Sequence, residues 1–260
     1  MTCVKVITAM NDTKLKLAKS PIIEAVLDIE CDLPPGQQLA DLENVARERY
    51  RDRYPKFQTQ LLQEHKIESK PREEPKLSVR RGIQALQFLQ EDGKQLVQVR
   101  NEGFSYNRLS PYTSFDDYLP EIQRCWQSYV ELAAPVQIRI VRLRYINRIL
   151  VPLIDGRVEL DNYLRTGPRL PDEKTLRLSG FVNQQSAIEF ETGNRVNILL
   201  TALPPEGETL PVILDNSAAA MGPGEPKDWP WILSKVMALR ELMNQVFRNS
   251  LSESCLHLFQ

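Results

Sequence analysis

The amino-acid sequence predicts an α+β protein, an antiparallel sheet with long helices on one face, and three observations carry that expectation. Residues 22–30 place Ile23, Ala25, Leu27 and Ile29 opposite Glu24, Asp28 and Glu30, a period of two that suits a half-buried strand. Residues 136–151 form a second, longer strand. Two segments, around Ile122–Val130 and Ile232–Phe247, carry apolar residues at helical spacing.

Taken in order, residues 1–19 read as a flexible lead-in. After the strand at 22–30, Pro34, Pro35 and Gly36 break the chain. Leu39, Leu42, Val45, Ala46 and Tyr50 then mark an amphipathic helix ending near Pro55. Residues 69–75 form a charged loop, followed by strands near 77–81, 84–90, 95–100 and 104–108. Asp92-Gly93 supplies a hairpin turn because it accepts positive φ. Ser114 and Asp117 cap a helix whose first turn tolerates Pro120 and whose stripe is Ile122, Trp126, Tyr129 and Val130; Pro135 stops it.

The pattern then restarts. The strand at 136–151 changes phase near Ile140-Val141, which predicts a bulge. A short helix over 155–165 follows, then strands near 174–182, 185–191, 194–203 and 209–215. Residues 218–226 read as a small-residue loop. Asp228 caps a long helix with the stripe Ile232, Val236, Leu239, Met243, Val246 and Phe247, continuing toward Leu251, Cys255 and Phe259. Both halves, 20–135 and 136–260, therefore read as β-α-β4-α units sharing one core. That is the element order of helix-grip and TATA-binding-protein-like folds; the alternative is one irregular domain whose halves resemble each other by chance.

Composition bounds the function. The 260 residues carry 42% hydrophobic and 26% charged side chains, and a net charge of −1, so no global field draws the chain to DNA or an anionic membrane. Nothing approaches the run of about 20 apolar residues that a bilayer span needs. Cys3, Cys31, Cys125 and Cys255 are widely separated, and His65 and His257 have no paired motif, which argues against zinc and against a disulfide framework. A reducing cytoplasm, no cofactor and no membrane are the expectations. A Gly-x-Ser-x-Gly elbow, a phosphate-binding loop and a Gly-x-Gly-x-x-Gly turn are all missing.

Five residues stand out as a candidate binding surface: Arg142, Arg144 and Asn147 on the central strand, Trp229 and Trp231 at the entry to the last helix. Guanidiniums on a strand grip phosphate or carboxylate, or else pair across strands with Glu24 and Asp28. Asn147, beside Tyr145, is disfavoured in a strand interior, so either a ligand or a satisfied bulge accounts for it. The tryptophans line a pocket mouth, with 218–226 as a movable cover, or staple the helix entry.

Ser20-Pro21-Ile22-Ile23-Glu24-Ala25-Val26-Leu27-Asp28-Ile29 and Leu143-Arg144-Tyr145-Ile146-Asn147-Arg148-Ile149 resemble the opening and central motifs of a sporadically distributed bacterial family of similar length. The resemblance carries no catalytic assignment to transfer. It implies a mobile accessory role, such as phage defence or a toxin–antitoxin pair. The leading expectation is a non-catalytic binding or regulatory protein working with a homodimeric or genetically linked protein partner. The alternative is a nucleic-acid-binding or nucleic-acid-processing protein using the arginine strand, and a pocketed enzyme comes third.

Overall fold

The structure, a computed structural model, describes residues 17–68, 76–172, 175–176 and 178–260, with side chains described throughout except at 64–68 and 76–81. The sheet is built around β1 (Ile22–Asp32) and β6 (Gln137–Pro152), which pair antiparallel with Leu27 opposite Leu143 and Asp28 opposite Arg142. On the β1 side follow β5 (Gly103–Leu109), β4 (Gln95–Arg100), β3 (Lys76–Leu89) and β2 (Lys56–Glu68). On the β6 side follow β9 (Thr209–Gly224), β8 (Arg195–Ala202) and β7 (Val182–Ile188). The described residues thus form one nine-stranded sheet, antiparallel at every pairing.

Alternation divides that sheet into two unlike faces. Leu27, Leu143 and Ala218 lie in one transverse row and point the same way, as do Ile29, Val141 and Ala220. This face is covered by α1 (Leu39–Tyr50), α2 (Phe115–Ala133) and α3 (Trp229–Ser250), whose buried residues Leu42, Trp126, Ile232 and Leu239 join Leu27 and Leu143 in one apolar cluster. A second cluster surrounds Ile149, Val212, Phe247 and Leu251, and takes in Cys255 from the short α4 (Glu253–His257). No helix among the described residues covers the opposite face, called the open face below.

Several sequence-based expectations need correction. The first half is β-α-β4-α, but its strands are not the four expected. Residues 56–68 form β2, an edge strand rich in Gln, Lys and Glu whose composition hides the alternation. The stretches at 77–81 and 84–90 are one strand, β3, in which a register shift opposite Gln60/Leu61 leaves Gln84 as an extra residue. In the second half a 3-10 turn at Leu160–Asn162 stands where the short helix was expected, and the described residues form three further strands where four were expected. Residues 178–181 of the strand expected at 174–182 are irregular, while 173, 174 and 177 lie outside the described residues, as do 69–75 and most of the expected lead-in.

The bulge in β6 falls at Ile138/Ile140, slightly before the phase change seen in sequence. Pro120 lies beyond the first turn of α2, and Ala134, at φ 43, ends that helix before Pro135. The chain at 218–224 is no loop: it is the end of β9, with Ala218 and Ala220 in the core. A strand as long as β6 needs a partner along its whole length, and small side chains let α3 approach it closely.

Where α1 meets α2, Glu121 binds Tyr54 at 2.9 Å, Arg53 at 2.6 Å and the Arg124 fork at 2.6 and 2.9 Å. Burial alone would raise the Glu121 pKa. The hydrogen bonds from Arg124 and Tyr54, and the charges of Arg124 and Arg53, outweigh it and hold the carboxyl below its ordinary value of 4.5. A carboxyl depressed on folding contributes stability above its unfolded pKa and loses it as pH falls through the folded one. We expect Glu121→Gln to lower stability at neutral pH by roughly 1–3 kcal/mol and to flatten the acid limb of the stability profile. Denaturant titrations from neutral pH to below the carboxylate range read both effects.

Candidate functional site

From Ile140 onward the even-numbered residues of β6 point to the open face, while Ile138, before the bulge, is buried in the core; on the open face the arginines meet carboxylates. Arg142 bridges Asp28 at 3.0 Å and Glu30 at 2.9 Å, and Arg100 of β4 closes on the same Asp28. Arg144 forks onto Asp215 of β9 at 2.8 and 2.5 Å; Arg148 reaches Glu206 at 2.5 Å, and Arg139 reaches Asp32 at 3.2 Å. Glu24, expected to pair with an arginine, instead accepts from Asn107 at 2.7 Å. From there amides continue the row: Gln98 donates to Asn107 at 3.3 Å, Gln87 to Gln98 at 2.8 Å and Gln58 to Gln87 at 2.7 Å. The face is polar, and its arginines on β6 are matched by acids on neighbouring strands and turns.

The tryptophans lie elsewhere. Asp228 accepts from the Trp231 amide at 3.0 Å, fixing the first turn of α3. The Trp231 ring lies over Gly224, where an added Cβ would sit 2.3 Å from it. Trp126 donates to the Pro226 carbonyl at 3.0 Å, and Trp229 packs on the main core. This is the geometry of a helix entry pinned to the end of β9, with 218–224 in the strand where a covering loop was expected.

Asn147 is separated from the arginines by the sheet itself: it is an odd-numbered residue on the helix-covered face. Along that row Tyr145 belongs to the main apolar cluster and Ile149 to the second, so Asn147 sits at the break between them. A cavity of about 500 Å³ occupies that break. Its floor is Tyr145, Asn147 and Asn216; its roof is Arg240, Met243, Asn244 and Phe247 of α3; Ser114 and Phe115 of α2 and the chain at Ser20–Ile22 form the sides. The structure therefore brings Asn147 into a cavity and leaves Arg142, Arg144, Trp229 and Trp231 outside it.

The floor is ordered by hydrogen bonds. Asn147 Nδ2 donates to the Leu214 carbonyl at 3.0 Å and to Asn216 Oδ1 at 3.2 Å. The carbonyl identifies the Asn147 nitrogen, which in turn orients the Asn216 amide with its oxygen toward Asn147. Asn216 Nδ2 is then buried without a partner, on a residue only 1% exposed. Burial pushes the Tyr145 hydroxyl up to about 12, against the hydrogen bond from Tyr112, and burial also raises Tyr112; both stay neutral. Arg240 forks onto Asp116 at 2.7 and 3.2 Å. Amides, phenols and an Arg–Asp pair are groups that can hold and orient a small molecule.

Sequence reasoning missed Asn216, Tyr112, Arg240 and Asn244. Asn216 gave the same signal as Asn147, an amide inside a strand, but the expected strand stopped at 215. No protein-family model matches the chain, and no curated protein matches it in sequence. No helix among the described residues is long and apolar enough to cross a membrane.

The arginine ladder has a measurable signature. The Arg144 side chain is 45% exposed and its Asp215 partner 14%, so we expect Arg144→Ala to cost only about 1 kcal/mol, near the range of exposed pairs. Asp28, equally enclosed at 14%, ties two arginines, and Asp28→Ala should cost more, toward the ~3 kcal/mol lower end for broken buried pairs. Urea denaturation of both variants gives the comparison; equal losses would contradict the unequal roles.

Proposed function

We propose that this chain is a non-catalytic binding and regulatory protein that holds a small organic ligand between α3 and the sheet and acts beside a genetically linked protein partner. The cavity at the break between the two apolar clusters carries the reading. Its volume of about 500 Å³ falls among ligand sites, which run from roughly 300 to 1,000 Å³. Its lining joins apolar walls to a few convergent polar groups, the usual make-up of such sites. The neutral phenols and the self-paired Arg240–Asp116 fit holding a molecule rather than transforming it.

Three further points belong to the proposal. The halves are read as tandem copies of a helix-grip, TATA-binding-protein-like unit, the second short of one strand. In support, β1 and β6 meet at the sheet centre, β5 and β9 flank them, and α2 and α3 follow those strands. The resemblance of the 20–29 and 143–149 segments to a sporadically distributed bacterial family supports an accessory role such as phage defence or a toxin–antitoxin pair. Buried free thiols at Cys31, Cys125 and Cys255 suit a reducing cytoplasm. The arginine ladder favours no second reading through nucleic acid, since Arg142 and Arg144 are already engaged by Asp28, Glu30 and Asp215.

Thermal-shift screening of the intact chain against a metabolite library tests the cavity. We expect compounds that raise the melting temperature of the wild type and lose that effect in Asn244→Trp, which fills the roof from a half-buried position. No stabilising compound, or stabilisation that persists in the variant, counts against the cavity as the site.

A further inference from the structure

The two ends of the sheet are built differently. β2 ends one side with Lys56, Glu64, Lys66 and Glu68 in its sequence and a register shift at Gln60/Leu61. Edge charges and bulges are devices that keep a sheet from adding another strand. β7 ends the other side, and its sequence, Val-Asn-Gln-Gln-Ser-Ala-Ile, holds no charge. Its pairing with β8 runs without a register shift from Val182 opposite Thr201 to Ile188 opposite Arg195. Val182 is 70% exposed and Ile188 63%, and Phe190 in the following turn is fully exposed.

Backbone alternation fixes which residues of β7 present their peptide groups at that edge. The Ala202 amide donates to the Phe181 carbonyl at 3.1 Å, and the Glu189 amide donates to the Asn194 carbonyl at 2.9 Å. The odd residues therefore turn toward β8 along the whole strand. The even ones, Val182, Gln184, Ser186 and Ile188, turn N–H and C=O outward. A second copy of β7, laid antiparallel across a two-fold axis through Gln185, meets them in register. Val182 bonds Ile188 of the second copy, Gln184 bonds Ser186, and Gln185 opposes Gln185 on the axis. Each pairing is reciprocal, as a closed two-fold contact requires. On the open face the same register sets the exposed Val182 beside the exposed Ile188, and no like charges meet. On the other face Gln185 and Ala187 are exposed, so no helix among the described residues overhangs the edge.

We infer that the chain forms a homodimer through β7, which joins two nine-stranded sheets into one across the two-fold axis. Each copy keeps its own strand pairings, and the two open faces become continuous. The interface is a single strand pair with an apolar contact at either end, well below the size of a permanent interface, so the dimer exchanges with monomer. The cavity beneath α3 plays no part in it.

Analytical ultracentrifugation of the full chain, from micromolar to near-millimolar concentration, should show a monomer–dimer equilibrium. Gln184→Pro removes an outward N–H and no bond to β8, and should give a monomer with a near-wild-type melting temperature. Gln185→Lys and Gln185→Glu each set like charges opposite one another on the axis and should be monomeric alone; mixed in equal amounts they should recover a dimer. A wild type that stays monomeric throughout overturns the inference and leaves the edge to a strand from another protein. A dimer that survives in Gln184→Pro and in both charge variants lies on another surface and also overturns it, as does a mixture that fails to recombine. Oligomers growing beyond the dimer contradict the closed two-fold contact. If the variants do not fold, amide exchange in the wild type decides. Protection of the Val182, Gln184, Ser186 and Ile188 amides should rise with protein concentration; protection independent of concentration overturns the inference.

Discussion

The antiparallel pairing of β1 with β6 is the constraint on which the rest of the structure depends. It joins the two groups of strands, and it fixes which side chains face the helices. With Leu27 opposite Leu143, the neighbouring pair Asp28 and Arg142 must point the other way. A slip of one residue would drive the arginines into the core and the leucines into water. The ion pairs of Arg142 and Arg144 therefore act on the register as well as on the surface: Asp28 and Glu30 meet Arg142 in the native alignment, and Asp215 meets Arg144 from the other flank. Individually such partly exposed pairs add little stability. Together they oppose the one error this sheet can least tolerate.

The same strand also explains where the cavity lies. Along the helix-covered face β6 presents Val141, Leu143, Tyr145, Asn147, Ile149 and Val151, apolar or aromatic except at one position. At that position α3 spans a gap instead of closing on the sheet, and the core divides into two clusters. Asn216 stands on β9 opposite Tyr145, so two amides interrupt the apolar rows on adjacent strands. An apolar pair there would fuse the clusters into one continuous core. The arrangement retains buried amides where packing alone would favour leucine, which is the kind of local conflict that functional sites carry.

How much of this was legible in the sequence follows from the same alternation. The strand at 22–30, the helices capped by Ser114 and Asp228, and the long strand near 137–152 announce themselves because one face is apolar and the other charged. β2 did not, because its Gln, Glu and Lys residues leave almost no apolar row at the sheet edge. The end of β9 was mistaken for a loop because glycine and proline are turn residues in isolation; their smallness here accommodates Trp231 and α3. Asn147 was recognisable as out of place in a strand. Its partner Asn216, and the roof residues Arg240 and Asn244, were not, since polar residues on a helix look like a solvated face until another element is packed against them. Arg142 and Arg144 were conspicuous in sequence, yet which face of the sheet they occupy depends on pairing, which single-strand periodicity does not give.

On the proposed reading, the even positions of β6 beyond its bulge serve the sheet and the odd position Asn147 lines the binding cavity. Methyl NMR of the intact chain, titrated with a compound that raises its melting temperature, reads both faces at once. Binding in the cavity predicts saturable shifts at Met243 and Ile22, which line it, with Val26 and Ile146 on the open face unmoved. Shifts confined to Val26 and Ile146, with Met243 and Ile22 unchanged, would place binding on the arginine face and contradict it.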